Sequence, residues 1–182
     1  MSIITSFGGN KGFTPPPTGT IYNEVSAVEP KPGFGAVSAE NPQFAIEKHI
    51  LKYRGASEAA AISGSILRHA QANDINPKLV AALITRESKF NPRAVSSSGA
   101  MGLGQLLPST AKGLNVDDPF DIDQNCRGTV RYMKSLLDRF KGKVSSAIAA
   151  YLEGPNAVDR QGGYSSHTKT YVEDILSIYQ KI

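Results

Sequence analysis

Two Asn-Pro pairs, Asn76-Pro77 and Asn91-Pro92, bracket the segment that most limits how this chain can fold. At the first pair, the asparagine side chain can accept from a free N–H at a helix start, and proline loses no hydrogen bond in the first turn. Leu79, Val80, Leu83 and Ile84 then recur at helical spacing, and Glu87 falls four residues after Leu83 and three after Ile84. The second pair disfavours helix beyond it. The pattern predicts a helix with an apolar face and sets a carboxylate on that face, close to the C-terminal end. Burial disfavours the ionised form of such a group, and the negative end of the helix dipole disfavours it again. An acid in this position keeps its proton near neutral pH.

Beyond the second pair comes a run of small residues, Ser96-Ser97-Ser98-Gly99-Ala100-Met101-Gly102-Leu103-Gly104-Gln105. Glycine permits tight turns and close approach of backbone to a ligand, so the run predicts a loop that walls a groove. Gln105 closes it with a side chain that can donate and accept, as sugar hydroxyls and N-acetyl groups require.

The rest of the periodicity is helical. Residues 44–53 form a short candidate helix. Residues 56–72 form a longer, alanine-rich one, with Ile62, Ile66 and Leu67 on the side expected to pack beneath the Glu87 helix. Pro108 starts a short helix running toward Gly113. After the turn at Asp117-Asp118-Pro119, Asp121 or Asp123 caps a helix to Phe140 with Ile122, Cys126, Val130, Met133 and Leu137 in its apolar series. Two more helices are expected over residues 144–152 and 168–182. No alternating strand pattern and no internal repeat is found. The fold class is therefore all-α: a helical globular domain over residues 57–182, a short helix and connector at 44–56, and an extended Pro/Gly-rich N-terminal arm at 1–43.

That arm holds more than half of the prolines, together with scattered apolar residues such as Ile3, Phe7, Phe13, Tyr22 and Phe34. This is the composition of a segment that orders on a partner surface. The formal net charge of +4 suits an anionic polymer. It is too mild, with no basic run, to indicate nucleic acid. No stretch is long and apolar enough to span a bilayer, and the N-terminus lacks the basic start and apolar run of a secretory signal. The single cysteine, Cys126, falls in a core series and leaves no intramolecular disulfide framework. His69 has no second histidine at ligand spacing, so neither a metal nor another cofactor is expected.

Four blocks in order carry a family resemblance. They are Arg86-Glu87-Ser88 with Phe90-Asn91-Pro92; the run from Ser98-Gly99-Ala100-Met101 through Gln105-Leu106-Leu107-Pro108; Ala150-Tyr151 with Gly154-Pro155; and Thr168 with Tyr171-Val172. Over residues 57–182 the chain resembles the soluble-type lytic transglycosylase (SLT) domain, a relative of goose-type lysozymes. The resemblance implies a lysozyme-like helical fold, peptidoglycan glycan strands as substrate, and Glu87 as catalytic acid at the β-1,4 bond between N-acetylmuramic acid and N-acetylglucosamine. It also implies substrate contacts by Ser88, Met101, Gln105, Tyr151 and Tyr171.

Three positions depart from the family pattern. Leu152 stands where an amide would contact sugar, Gly104 replaces a methionine and so removes an apolar wall, and His167 replaces an acid. The resemblance further implies that the muramyl C6 hydroxyl closes a 1,6-anhydro ring, and Glu153 is a candidate second carboxylate at the groove, which would permit hydrolysis by an activated water in its place. A third alternative is a non-catalytic module that binds wall or builds a larger assembly. Without a recognisable signal, a protein acting on the wall is expected to be carried there by a phage particle or a secretion machine, with residues 1–43 as the tether.

Overall fold

The computed structural model describes residues 41–182. Eight helices follow one another among them: α1 (Pro42–Ile50), α2 (Ala56–Ala72), α3 (Pro77–Ser88), α4 (Pro108–Gly113), α5 (Ile122–Arg139), α6 (Val144–Glu153), α7 (Pro155–Gln161) and α8 (Ser166–Lys181). Backbone pairing of the strand type is confined, among the described residues, to isolated bridges of Met101 with Val95 and Leu106. The fold is all-α, as the sequence predicts. The expected extended arm lies outside the described residues except at its end. There the Asn41 side chain accepts from the Gln43 N–H and Pro42 occupies the first turn, so helix begins before residue 44.

The centre of the domain is α3, which packs against α1, α2, α5 and α8. Its N-terminal cap is the one read from the sequence: the Asn76 side chain accepts from the Lys78 N–H, and Pro77 follows. The expected single apolar face is corrected by the structure. Every residue from 79 to 85 is buried, including Ala81, Ala82 and Thr85 on the far side. A helix enclosed on all sides needs small residues where neighbours approach closely, and the two alanines supply them. The helix stops at Ser88 because Lys89 and Phe90 both turn left-handed, with φ of 50° and 60°. Phe90 is fully buried and fixes that exit.

α5 starts as expected, with Asp121 accepting from the Gln124 N–H. That leaves Asp123 free to reach α2, where its Oδ1 accepts from Ser65 Oγ at 2.8 Å, Arg68 at 2.7 Å and His69 Nε2 at 2.9 Å. Burial pushes this carboxyl up, but the three donors outweigh it and hold the pKa at about 2. Cys126 is fully buried beside this junction, and burial pushes its thiol up to about 12, which suits core and not a nucleophile. α7 was not foreseen. Its signal is Pro155 directly after Gly154, a proline in the first turn of a short helix.

Candidate active site

A cleft of about 490 Å³ opens between the end of α3, the loop of residues 96–105, the end of α6 and the start of α8. Its lining includes Glu87 and Arg86 from α3, Ser96, Ala100 and Gln105 from the loop, Tyr151 and Leu152 from α6, and His167, Thr170 and Tyr171 from α8. Among these, Glu87 is the sole carboxylate.

Glu87 lies in the last turn of α3, open to the cleft on one side and crowded by protein on the others. Burial raises its pKa to about 7, against the Tyr171 hydrogen bond and the Arg86 charge, both of which favour ionisation. The C-terminal end of the helix acts in the same direction as burial. Tyr171 donates its hydroxyl to Glu87 Oε1. The Arg86 guanidinium lies 5.3 Å from the Tyr171 ring centroid and is paired with Asp174 at 3.3 Å. The tyrosine is thereby held from both sides.

The loop is shaped by residues that the sequence reading did not single out. Asn125, buried on α5, accepts from the Gly104 N–H at 2.9 Å and donates to the Met101 and Pro119 carbonyls at 3.1 and 2.8 Å. A side chain at Gly102 would place its Cβ 2.1 Å from the Pro119 oxygen, and the φ of +74° excludes most residues there as well. At Gly104 a Cβ would meet Thr129 Oγ1 at 1.9 Å. The expected missing wall at Gly104 is thus corrected: the buried Thr129 side chain fills that space. The available signal was the pair Asn125 and Thr129, two polar residues one turn apart within the apolar series of α5.

Gln105 takes a left-handed φ of 50° at the end of this loop, and its Nε2 donates to the Ala94 and Gly102 carbonyls at 3.2 and 3.0 Å. Both neighbours are acceptors, which fixes the orientation of the amide. Its donors are spent on the loop, so only its carbonyl oxygen is left to accept from a ligand. Tyr151 is fully buried, and its hydroxyl donates to the Gly104 carbonyl at 2.7 Å. Its ring, not its hydroxyl, supports the cleft.

Three expected contact residues do not line the cleft. Ser88 donates to the Leu103 carbonyl at 2.7 Å and so fastens α3 to the loop. Met101 is tied through its backbone to Leu106, at 2.9 and 3.0 Å. Glu153, read as a second groove-facing carboxylate, accepts instead from Ser165 and Thr168 at the start of α8, and these bonds outweigh burial to lower its pKa. Helix start sites carry unpaired N–H groups and positive potential, which draws the carboxylate there. Conversely, the departures Leu152 and His167 sit on the cleft wall itself, joined by Arg86, Ser96, Ala100 and Thr170.

The transglycosylase SLT domain model matches residues 64–173, which include the helix of Glu87, the loop, and the start of α8 through Tyr171. The chain belongs to the transglycosylase SLT domain family. This SLT domain is 43% identical over 103 residues to the transglycosylase of Enterobacteria phage PRD1, covering 57% of the chain and 37% of that protein. It is 38% identical over 102 residues to the membrane-bound lytic murein transglycosylase F of Alteromonas mediterranea, covering 53% of the chain and 22% of the relative. The chain therefore spans little more than a third of the first relative and less than a quarter of the second. Among solved structures, an inactive glutamate-to-glutamine mutant of the lytic transglycosylase Slt from Pseudomonas aeruginosa superimposes with a TM-score of 0.59 at 26% identity, over 64% of this chain and 23% of that one. The 70 kDa soluble lytic transglycosylase from Escherichia coli gives 0.60 at 21% identity, over 76% and 28%, a likeness of fold. The SLT domain is thus lysozyme-like in architecture. No described helix is long and apolar enough to cross a membrane.

Proposed function

We propose that this protein is a peptidoglycan lytic transglycosylase with Glu87 as its general acid and then its general base. The observation that carries the reading is a carboxyl held near pKa 7 on the floor of a cleft that contains no second acid among its described lining residues. Glu87 protonates the oxygen between N-acetylmuramic acid and N-acetylglucosamine. The resulting carboxylate accepts the proton of the muramyl C6 hydroxyl, whose oxygen attacks C1 and closes a 1,6-anhydro ring without consuming water. General acid–base action of this kind contributes on the order of 100- to 10,000-fold, and holding the sugar supplies the remainder. Tyr171 keeps Glu87 oriented, Gln105 accepts a hydrogen bond from the glycan through its carbonyl, and the Tyr151 ring supports the bound sugar.

The names of the phage and bacterial relatives support this activity, as does the inactive glutamate-to-glutamine mutant among the solved neighbours. The engagement of Glu153 elsewhere favours the lyase outcome over hydrolysis. A mass spectrum of digested wall decides between them: anhydro ends are expected, and free reducing ends would overturn the transglycosylase reading.

The phage relative also supports delivery of the enzyme to the wall by a virion or a comparable secretion apparatus, with residues 1–43 as the docking segment. Removing residues 1–40 is expected to leave wall cleavage in solution intact and to abolish incorporation into the carrying particle. Equal incorporation of the shortened protein would end that idea.

A further inference from the structure

Glu153 is the last residue of α6, and the proposed reaction leaves it without a chemical role. Its Oε1 accepts from the Ser165 N–H at 3.2 Å, from Ser165 Oγ at 2.7 Å and from Thr168 Oγ1. Ser165 is the N-cap of α8 and takes the Thr168 N–H on its own hydroxyl at 3.2 Å. One carboxylate oxygen thus gathers the cap residue and the first turn of α8 and ties both to the end of α6, across the excursion made by α7. The other oxygen, Oε2, is buried and has no hydrogen-bond partner. The charge is therefore supported chiefly by the Ser165 and Thr168 donors, with a smaller contribution from the nearby His167, and a helix N-terminus is where such a charge is favoured.

The residues on either side of this junction are cleft residues. Leu152 precedes Glu153 in α6, while His167 and Thr170 lie in the first turns of α8 beside the nearly fully buried Thr168. We propose that Glu153 is a positioning residue: it joins the end of α6 to the start of α8 and so fixes the cleft wall made by Leu152, His167 and Thr170. This rests on the reading of the cleft as the glycan site. Tyr171 lies further along α8, with its own anchors in Glu87 and the Arg86 guanidinium. The ionisable groups that share the cleft with Glu87 are Arg86 of α3, Tyr151 of α6, and His167 and Tyr171 of α8, with Asp174 paired to Arg86. Glu153 is outside that set. Loss of the clamp therefore loosens substrate binding and leaves the ionisation of Glu87 in place.

The test compares Glu153→Ala, Glu153→Gln and Thr168→Val in the full chain. Thr168→Val, which removes one of the three hydrogen bonds to the carboxylate, is expected to raise KM for glycan strands about tenfold, and Glu153→Ala, which removes all three, by at least as much. Both should hold kcat within about threefold and leave the alkaline limb of the pH profile unmoved. Glu153→Gln keeps an oxygen that can accept from Ser165 and Thr168, and it should restore KM to within about threefold of the parent. Hydrogen exchange of the 168–170 amides should quicken in Glu153→Ala and not in Glu153→Gln, with residues 172–179 unchanged. That readout needs no lytic activity, so it tests the clamp even if the parent protein cuts no wall. Parental KM and exchange in Glu153→Ala would overturn the proposal. So would a raised KM without faster exchange, which would mean that Glu153 touches substrate itself. A kcat loss beyond about 100-fold in Glu153→Gln, with reducing-end products from the parent, would make it a catalytic base and equally overturn the clamp.

Discussion

At the cleft, Glu87 has a single hydrogen-bond donor, Tyr171, and a setting that raises its pKa to about 7. At the junction of α2 and α5, Asp123 has three donors, Ser65, Arg68 and His69, is about half exposed, and is held at about 2. Both are carboxylates bonded to a neighbouring helix. Donor count and burial decide which one keeps its proton, so one side chain type serves as an acid in one place and as an ionic fastening in the other. The difference also predicts opposite responses to pH.

The largest expected effect breaks the acid. Glu87→Gln should lower the rate of wall cleavage by at least about 100- to 10,000-fold, roughly 3–5 kcal/mol of barrier, read by turbidity and product analysis. Wall cleavage at the parental rate would remove Glu87 from the mechanism.

The same substitution sharpens the contrast through stability. Because the folded pKa of Glu87 is raised from 4.5 to about 7, its protonated form is favoured by folding. That contribution is complete below about pH 4.5 and is lost as pH rises through about 7. Glu87→Gln, which cannot ionise, should be more stable than the parent by on the order of 2–3 kcal/mol above pH 7 and equal to it below pH 4.5, as measured by denaturant unfolding across pH.

Asp123 responds with the other sign. Its pKa is depressed from 3.8 to about 2, so its contribution is present above pH 3.8 and lost as pH falls through about 2. Asp123→Ala should cost about 1 kcal/mol at pH 7, discounted for its exposure, and the difference from the parent should vanish in strong acid. Its cleavage rate at 25 °C should match the parent.

The smallest effect is at Tyr171. Removing its hydroxyl in Tyr171→Phe takes away a bond that favours ionised Glu87, so the pKa of Glu87 climbs further and the alkaline limb of the pH profile moves to higher pH. The stability change should stay within about 1 kcal/mol. A limb moving to lower pH would mean that the bond supports the protonated acid instead.

Much of the frame was legible because its causes are local. Asn76 and Pro77 start α3, Pro108 starts α4 and Asp121 starts α5, each through contacts spanning a few residues. The short α7 escaped notice because seven residues carry too little periodicity, with only Val158 buried. Within the site, the placement of Glu87 at a helix end could be read from Leu83, Ile84 and the second Asn-Pro pair. Its partner Tyr171, 84 residues away, was named only through a family resemblance. Asn125 and Thr129 went unread because polar residues in an apolar series reveal their purpose only when the loop they hold is in place.

From the amino-acid order alone came seven of the eight described helices, the starts of α3, α4 and α5, and an acid on the apolar face at the end of α3, since propensity, capping and burial pattern act over one or two turns. The tertiary structure alone decided which side chains face the cleft. Ser88 and Glu153 turn to fastening a loop and a helix, while Arg86, Leu152, His167 and Thr170 form the wall. The physical reason is that a polar side chain takes the nearest unmet donor or acceptor, and that neighbour is supplied by helices far apart in the chain.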